Sequence, residues 1–415
     1  MRGRRKRSVT ADRSVPLLVA KVGRYPLHHG AVGAIRTMGR LGVPVYAITE
    51  DRFTPAALSR YLHGRFVWPT TGAEGVDELV DGLLAHGRRI GRPAVLLPTD
   101  DEAAVLVAEH AEALADRFVL AAVPHELPRR LADKAELHEL CLAAGVPSPS
   151  SARPATVEDL LARAAEITYP VVLKNASPFA RLQHPAVGST TVVHTEDELR
   201  GITATWPEMP SVLVQEYLPR ERSQDWVVGL YCDESSSCVV TFTGRKVRSW
   251  PPHAGVTTRA FASANPTLVS LSASLCAAIG YRGIADLDWR YDESERTYRL
   301  LDFNPRVGAQ FRLFETDAGI DVVRAMHLDL TGRGIPAGNQ VDARSLRVEN
   351  LDIPAMLAYR RAGDGGGGAV PKGRTELAWS ALDDPLPALA AAVRSAAPAV
   401  GVARRLASSS RRTGR

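Results

Sequence analysis

The hydrophobic positions of residues 15–122 follow two alternating patterns. Short apolar runs that suit buried strands are separated by longer segments whose apolar residues recur at the helical period. Strands are predicted over residues 16–20, 43–48 and 94–97, and helices over residues 30–42, 76–90 and 100–114. Because alternation of strand and helix is typical of a parallel sheet covered by helices, we predict a Rossmann-like α/β domain here.

The pattern changes beyond residue 123, where strands and helices no longer alternate regularly. The sequences that start at Thr156 and Thr195 resemble capping boxes and predict that a helix begins after each. Strands are predicted over residues 170–174, 190–193, 212–218, 225–231 and 238–242, and further helices over residues 133–145, 157–167, 266–279 and 320–330. This order indicates an antiparallel sheet with helices, an α+β unit.

Residues 283–306 are predicted to form a hairpin with acidic residues on its inside. Apolar residues recur on both sides of a charged turn. Because successive strand side chains point to opposite faces, Asp286 and Asp288 share one face, as do Asp302 and Asn304. A turn centred in the charged segment would place Asp288 across from Asp302.

Two carboxylates and an amide oxygen would then converge on one point, directly before Arg306. Hard oxygen ligands of this kind are those that Mg²⁺ takes, usually together with substrate phosphates. Exposed acids on a hairpin are also common without a metal. Asp302 favours the metal interpretation, because it lies in an apolar run where an unpaired carboxylate would carry a desolvation penalty.

Two lysines occupy positions that favour anions. Lys174 ends an apolar strand, where an ammonium group needs a carboxylate or a bound anion as its partner. Lys134 lies at a predicted helix N-terminus, which attracts anions through the helix dipole and its free N–H groups. For Lys134 alone the sequence favours a plain surface lysine, and for Lys174 the structural and the functional interpretation both stay open.

Three further segments carry polar groups next to predicted strands. The backbone at the end of the strand that starts at residue 212 could form hydrogen bonds with the edge of an adenine ring. An ordinary edge strand explains this segment as well. Its residues are Gln215, Glu216, Tyr217 and Leu218. A basic group ends another strand, either as a solvated edge or as a second anion-binding strip: Arg245, Lys246 and Arg248. The connection over residues 175–189 is long, as active-site lids often are.

Composition limits the function classes. The 415-residue chain is 45% hydrophobic, and it has neither a run of about 18 uncharged apolar residues nor the apolar stretch of a signal peptide. We therefore predict a cytoplasmic protein without a membrane partner. The net charge of +5 arises in two basic tails, residues 1–13 and 401–415, which leave the rest of the chain acidic. Such short tails favour solvation over a nucleic-acid partner.

Two common cofactor and metal patterns are missing from the sequence. The glycines of the first domain do not form the GxGxxG fingerprint, which argues against an oxidoreductase with a nicotinamide cofactor. The cysteines show neither CxxC spacing nor a pairing with histidines, so we expect reduced thiols rather than a zinc site or a disulfide framework. These cysteines are Cys141, Cys232, Cys238 and Cys276.

The motifs, taken in chain order, resemble those of the ATP-grasp superfamily, in particular its carboxylate–amine ligase-like members with a preceding Rossmann-like domain. The resemblance covers residues 15–335, and its most specific part is Leu301-Asp-Phe-Asn-Pro-Arg306. The other motifs are Asp133-Lys134, Val172-Leu-Lys174, Gln215-Glu-Tyr-Leu218 and the segment from Gly283 to Asp288.

The resemblance implies an α/β plus α+β fold, with a Rossmann-like pre-ATP-grasp domain followed by the two α+β subdomains of an ATP-grasp fold. The expected order is a basic tail (1–14), the Rossmann-like domain (15–122), the small or lid subdomain (123–210), the large subdomain with the metal site (211–335), a C-terminal extension with a glycine-rich linker (336–398) and a second basic tail (399–415). The extension is expected to pack on the core or on a second subunit, so a homodimer stays open.

The resemblance also implies roles for individual residues. Lys134 and Lys174 would bind the ATP phosphates, and Asp225 would bind the ribose. Asp288, Asp302 and Asn304 would hold one or two Mg²⁺ ions, with Mn²⁺ as an alternative, although the family more often has Glu where Asp288 and Asp302 stand. The adenine hinge would be Gln215, Glu216, Tyr217 and Leu218. Arg306 would meet the transferring phosphate, and Lys246 and Arg248 would serve the carboxylate or acceptor side.

The implied activity is the ATP- and Mg²⁺-dependent ligation of a small-molecule carboxylate to an amine through an acyl phosphate. Two other functions stay open: a small-molecule kinase of the same fold, and a non-catalytic ATP-binding module. The variable loops that determine substrate specificity contain no recognisable motif, so the sequence does not identify the carboxylate or the amine.

Overall fold

The computed structural model describes residues 10–176, 186–188, 191–219, 222–253, 255–342, 344–364 and 368–396. Most of both basic tails, most of the predicted lid at residues 175–189 and part of the glycine-rich linker lie outside the described residues. No helix in the described part is both long enough and apolar enough to cross a membrane.

The strands are β1 (Leu17–Ala20), β2 (Val45–Thr49), β3 (Leu62–Val67), β4 (Ala94–Pro98), β5 (Phe118–Val119), β6 (Ser151–Ala152), β7 (Val171–Asn175), β8 (Thr191–Val193), β9 (Val212–Glu216), β10 (Ser223–Cys232), β11 (Cys238–Trp250), β12 (Val256–Ala262), β13 (Gly283–Asp292), β14 (Thr297–Asn304), β15 (Arg344–Arg347) and β16 (Arg374–Leu377). The helices are α1 (His29–Gly39), α2 (Val76–Ile90), α3 (Asp101–Glu109), α4 (Ala111–Leu114), α5 (Leu127–Ala132), α6 (Lys134–Ala143), α7 (Val157–Ile167), α8 (Glu196–Thr203), α9 (Pro266–Ala278), α10 (Val322–Leu330), α11 (Glu349–Arg361) and α12 (386–396).

The first sheet is parallel and has the strand order β3-β2-β1-β4-β5. This order confirms the predicted Rossmann-like fold. Strand β3 was not predicted, because it lies at the sheet edge and only Phe66 of its six residues is buried. The single helix predicted over residues 100–114 is wrong: His110 leaves the helical conformation (φ −122°, ψ 27°) and separates α3 from α4.

The second sheet has four antiparallel strands in the order β6-β9-β7-β8. Helices α7 and α8 bury Leu160 and Leu199 against this sheet. Their first turns are capped as predicted, because the Thr156 hydroxyl accepts a hydrogen bond from the Asp159 N–H at 3.1 Å and the Thr195 hydroxyl accepts one from the Glu198 N–H at 3.2 Å.

The third sheet has seven strands in the order β14-β13-β10-β11-β12-β15-β16, all antiparallel except the pair β15–β16. One apolar core joins this sheet to the first one through α1 and α10, with Ile35, Val323 and Phe242 among its members. A second core lies under the hairpin β13–β14, where Trp289 and Phe303 are buried with α9.

The C-terminal segment folds back onto the first domain. The Asp384 carboxylate is 1% exposed and accepts hydrogen bonds from Arg36 at 2.9 Å, from the Ser59 hydroxyl at 2.8 Å and from the Arg60 N–H at 2.9 Å. Asp383, which is much more exposed, pairs with Arg40. Residues 383 and 384 therefore anchor this segment to the first domain.

Candidate functional site

A large cleft lies between the second and third sheets and has a volume of about 630 Å³. The sequence-predicted residues that line it are Lys134, Lys174, Gln215, Glu216, Tyr217, Leu218, Asp225, Lys246, Arg248, Asp288 and Asp302. Residues from six strands and one helix thus meet at one site. Asn304 and Arg306 are not among the lining residues.

The two carboxylates of the predicted metal site face each other across the hairpin. Asp288 on β13 is the register partner of Asp302 on β14, as strand parity indicated. The register shifts directly after this pair, so that Trp289 pairs with Leu300 and Leu301 is the extra residue of a bulge. The bulge lets the pair Trp289 and Leu300 enter the core while the two carboxylates face the cleft.

Each carboxylate is neutralised by a lysine from a different element. The Lys134 ammonium pairs with Asp302, and the Lys246 ammonium lies 2.5 Å from Asp288. Burial opposes ionisation of Asp302, but the charge and hydrogen bond of Lys134, together with the charges of Arg306 and Lys174, hold the pKa of Asp302 below its usual value. Burial likewise opposes the charge of Lys246, but the charge and hydrogen bond of Asp288, together with the charges of nearby aspartates, raise the pKa of Lys246.

Lys174 is held by the residue predicted to begin the adenine hinge. Its ammonium donates to the Gln215 side-chain oxygen at 2.9 Å, and the Gln215 amide donates to the Ser151 hydroxyl at 2.8 Å. Gln215 is buried, so its side chain is fixed in one orientation. The register pairing of β7 with β9 places Val172 opposite Gln215, which brings the strand end at Lys174 over the cleft.

Two arginines that the sequence interpretation missed organise the hinge side of the cleft. Arg290 on β13 donates to both oxygens of Asp225, at 2.7 and 3.1 Å, and to the Leu218 carbonyl at 3.2 Å. Arg299 on β14 pairs with Glu216 at 2.6 Å. Arg290 could have been found, because it continues the two-residue period of Asp286 and Asp288 on the same strand face.

Asp286 lies behind the two cleft carboxylates. It is 5% exposed, and both its oxygens accept hydrogen bonds from the Gln310 amide, at 3.3 and 3.0 Å. Burial, and then the charge of Asp288, raises the pKa of Asp286 to about 7. Gly308 packs so closely on this carboxylate that an added Cβ would lie 2.3 Å from its carboxyl carbon.

Arg306 and Asn304 lie beside the cleft, toward the first domain. The Arg306 guanidinium lies 3.0 Å from Asp101 at the start of α3 and donates to the Asn304 side-chain oxygen at 2.9 Å. The Asn304 amide donates to the Asp286 carbonyl at 3.0 Å. The structure therefore places this pair where the first domain meets the end of the hairpin.

The far end of the cleft is rich in arginine. Arg248 donates to Asp352 of α11 at 2.9 and 2.8 Å, and Arg347 approaches the other oxygen of the same carboxylate at 3.0 Å. Burial lowers the pKa of Arg259, with opposing contributions from Asp352 on one side and Arg248 on the other. One carboxylate thus stands among three guanidinium groups, which leaves positive charge at this end.

Comparison with solved structures shows that other proteins share this architecture. The biotin carboxylase of Campylobacter jejuni, solved with β-γ-ATP, is 15% identical, with a TM-score of 0.56 over 78% of this chain and 72% of that one. An L-amino acid ligase from Bacillus licheniformis is also 15% identical, with a TM-score of 0.56 over 77% and 75% of the two chains. At such identities the likeness shows the fold alone.

Sequence comparison finds a related family for part of the chain. Residues 133–331 match the family described as carbamoyl-phosphate synthase L chain, ATP binding domain. This segment, just under half of the chain, is therefore similar to an ATP-grasp domain. A D-aspartate ligase of Enterococcus faecium (strain Aus0004) is 23% identical over 240 residues, which are 55% of this chain and 57% of the ligase. The match thus spans little more than half of that relative.

Proposed function

We propose that the protein is an ATP- and Mg²⁺-dependent ligase that activates a small-molecule carboxylate as an acyl phosphate and joins it to an amine, releasing ADP and phosphate. The observation that carries the proposal is the cleft between the second and third sheets, into which three lysines and two opposed carboxylates converge from separate elements. The match of residues 133–331 to an ATP-binding domain family and the likeness to a D-aspartate ligase support it.

The proposed chemistry demands charge neutralisation more than a covalent protein nucleophile. ATP, a substrate carboxylate and the transferring phosphoryl group bring several negative charges together. Lys134, Lys174 and Lys246 can each supply one positive charge to these groups. Since Lys134 and Lys246 are already held beside carboxylates, they need little reorganisation when the nucleotide arrives.

The residues of the hairpin fit Mg²⁺. Asp288 and Asp302 offer hard carboxylate oxygens from opposite strands, and Asn304 offers an amide oxygen two residues from Asp302. An ion held by these three residues would neutralise charge on the phosphates. Asp286 is proposed to support them from behind rather than to bind the ion, because it is buried, whereas Asn304 is partly exposed.

The two ends of the cleft suggest how the substrates lie. The hinge from Gln215 to Leu218, with Asp225 held by Arg290, is proposed to take the adenosine part of ATP. The arginine-rich end around Arg248 suits the substrate carboxylate, because positive charge remains there. Arg306 is proposed to stabilise the acyl phosphate from the side of the first domain.

A product-resolved assay tests the proposal. The full chain is incubated with Mg²⁺, ATP and pairs of amino acids, beginning with D-aspartate as carboxylate, and ADP release and product mass are followed together. We expect ADP release that requires both substrates and a product whose mass is the sum of the substrates less water. ADP release without an amine, with a phosphorylated carboxylate as the only product, would instead show a kinase.

Substitution in the hairpin links this activity to the site. Asp302→Ala and Asn304→Ala should each reduce kcat by about 10²-fold or more, because a preorganised charge-stabilising group is lost. Glu158→Ala, an exposed acid on α7, should leave kcat unchanged. Near-normal ADP release by either hairpin variant would refute the metal assignment. If ATP raises the melting temperature but no substrate pair is turned over, the protein is a binding module.

A further inference from the structure

Three of the four cysteines lie together in the structure, although their sequence positions gave no indication of it. Cys232 ends β10, Cys238 begins β11, and Cys276 lies on the buried face of α9. Their sulfur atoms all lie within 4.8 Å of one another, and those of Cys232 and Cys238 are 2.8 Å apart. The cluster lies outside the ATP-grasp cleft.

Local structure fixes the first two sulfur atoms. Cys232 and Cys238 are register partners at the end of the hairpin β10–β11. The loop between them is closed by Asp233, whose carboxylate accepts hydrogen bonds from the Ser235 N–H at 2.9 Å and the Ser237 N–H at 3.0 Å. This closed loop holds the two thiols side by side, in hydrogen-bonding contact and without a disulfide bond between them.

Helix α9 supplies the third sulfur atom from above the hairpin. Cys232 and Cys276 are fully buried, whereas Cys238 is partly exposed and gives access from solvent. Ser272 lies one helical turn before Cys276 on the same buried face, and its hydroxyl has no hydrogen-bond partner among the described residues. A polar patch is therefore built into an otherwise apolar contact.

The sulfur geometry suits a small soft cation. Thiolates select ions such as Cu⁺ and Zn²⁺. Three sulfur atoms placed about 2.3 Å from one ion in a trigonal plane are separated by about 4 Å. The three sulfur atoms lie within 4.8 Å of one another, so an ion requires only that the Cys232–Cys238 pair, which is 2.8 Å apart, opens toward this separation. Within the described residues no histidine or carboxylate joins the three cysteines. Because structural zinc takes four ligands, three favour Cu⁺.

We propose that Cys232, Cys238 and Cys276 form a three-thiolate site for a soft d¹⁰ metal ion, with Cu⁺ in trigonal coordination as the preferred occupant. The ion would tie α9 to the β10–β11 hairpin. This site is independent of the proposed ligase activity, because none of its residues lines the ATP-grasp cleft.

Metal titration of the reduced full chain tests the site. The protein is titrated without oxygen, with Cu⁺ and separately with Zn²⁺, and the stoichiometry and the metal's neighbours are measured by metal analysis and X-ray absorption. We expect one Cu⁺ per chain with three sulfur neighbours. Each of Cys232→Ser, Cys238→Ser and Cys276→Ser should weaken Cu⁺ binding at least tenfold. Cys141→Ser, which alters a buried cysteine on α6 outside the cluster, should not.

Several results would overturn the proposal. One is that the wild-type chain binds no Cu⁺ through sulfur. Another is that Cys141→Ser loses as much Cu⁺ binding as the variants of the three clustered cysteines. A third is that Cys232 and Cys238 form a disulfide and that its reduction does not restore metal uptake. Preferential binding of four-coordinate Zn²⁺ would overturn the assignment to Cu⁺. If a serine variant fails to fold by circular dichroism, the sulfur count in the wild-type spectrum still decides the question.

Discussion

Asp286 differs from its neighbours on β13 because it is buried behind them. Its carboxyl group accepts two hydrogen bonds from Gln310, and burial together with the charge of Asp288 raises its pKa to about 7. In an unfolded chain an aspartate has a pKa of about 4. The folded protein therefore binds a proton at Asp286 over a pH range in which the unfolded chain has released it.

The pH dependence of stability should reveal this proton. A raised folded-state pKa contributes stability that is complete below the unfolded pKa of about 4 and is lost as the pH rises through about 7. The free energy of unfolding should accordingly fall between about pH 4 and pH 7, and Asp286→Asn should flatten this fall. Urea denaturation at a series of pH values measures both slopes.

A second buried carboxylate provides the comparison for that experiment. Burial also raises the pKa of Asp100, at the start of α3, to about 7. Asp100→Asn keeps a helix cap and should remove its own part of the slope, and the double variant should remove both parts. A slope that Asp286→Asn leaves unchanged would contradict the raised pKa of Asp286.

Arg290 is expected to matter for nucleotide binding and for stability together. Arg290→Met removes the bidentate interaction of Arg290 with the Asp225 carboxylate and should raise the KM for ATP. The expected loss of stability is about 1–2 kcal/mol, below the cost for a fully buried pair, because Asp225 is more than a third exposed. Steady-state kinetics and urea denaturation measure the two effects.

The matched control for Arg290 is an arginine whose ion pairs lie on the surface. Arg163 on α7 pairs with Asp159 and Glu166, and all three are well exposed. Arg163→Met should change the free energy of unfolding by less than about 0.5 kcal/mol. Equal effects of the two substitutions would refute a special role for Arg290.

At the level of single residues, the sequence predicted side-chain positions correctly where they depend only on the two-residue period of one strand. Strand parity predicted that Asp288 faces Asp302, and the structure agrees. It could not reveal that Arg290 holds Asp225, because that contact depends on the register between β13 and β10, which are separated by two other strands and a helix in the chain. The grouping of Cys276 with two hairpin cysteines was hidden for the same reason.

At the level of elements, the hairpin β13–β14 departs from a regular two-residue period at one point. The bulge at Leu301 places Leu300 in the core and Asp302 at the cleft, which a regular strand would put on the same face. Helix starts with threonine caps were predictable from short sequence patterns. The edge strand β3 was not, because its exposed positions carry no apolar period.

The turn after β14 should tolerate no side chain at Gly308. In Gly308→Ala, the added Cβ would lie 2.3 Å from the Asp286 carboxyl carbon, so the turn or the carboxylate must move. We expect a loss of about 1–3 kcal/mol in the free energy of unfolding, as for other overpacked sites. Urea denaturation measures the loss.

Gly201 on α8 is the control, since nothing lies within 4 Å of its added Cβ. Gly201→Ala should stabilise the protein by about 0.5–1 kcal/mol, because alanine favours the helix. If Gly308→Ala proves as harmless as this control, the close packing of the turn on Asp286 is not as described.

At the level of the whole molecule, the C-terminal segment is tied to the first domain by Asp384. Asp384→Ala should cost about 3–5 kcal/mol, because it leaves the buried Arg36 guanidinium without its partner. Asp383→Ala, at the preceding position, should cost only about 1 kcal/mol, since its pair with Arg40 is partly exposed to solvent. Denaturant unfolding of both variants tests the difference, and similar losses would contradict it.

The order of the first domain and the ATP-grasp segment was predictable from sequence, whereas the place of residues 336–396 was not. Their anchoring depends on single polar contacts such as Asp384 with Arg36, which join distant parts of the chain and leave no local pattern. The same holds for β15 and β16, which extend the third sheet far from the other strands in sequence.

The core shared by the first and third sheets has a consequence for how the protein can be divided. Family similarity begins at residue 133, but Ile35 and Phe242 lie in one apolar cluster on either side of that boundary. Excising residues 133–331 would expose half of this cluster to water. The segment with family similarity is therefore smaller than the unit that folds cooperatively. A fragment of residues 133–331 should aggregate rather than fold.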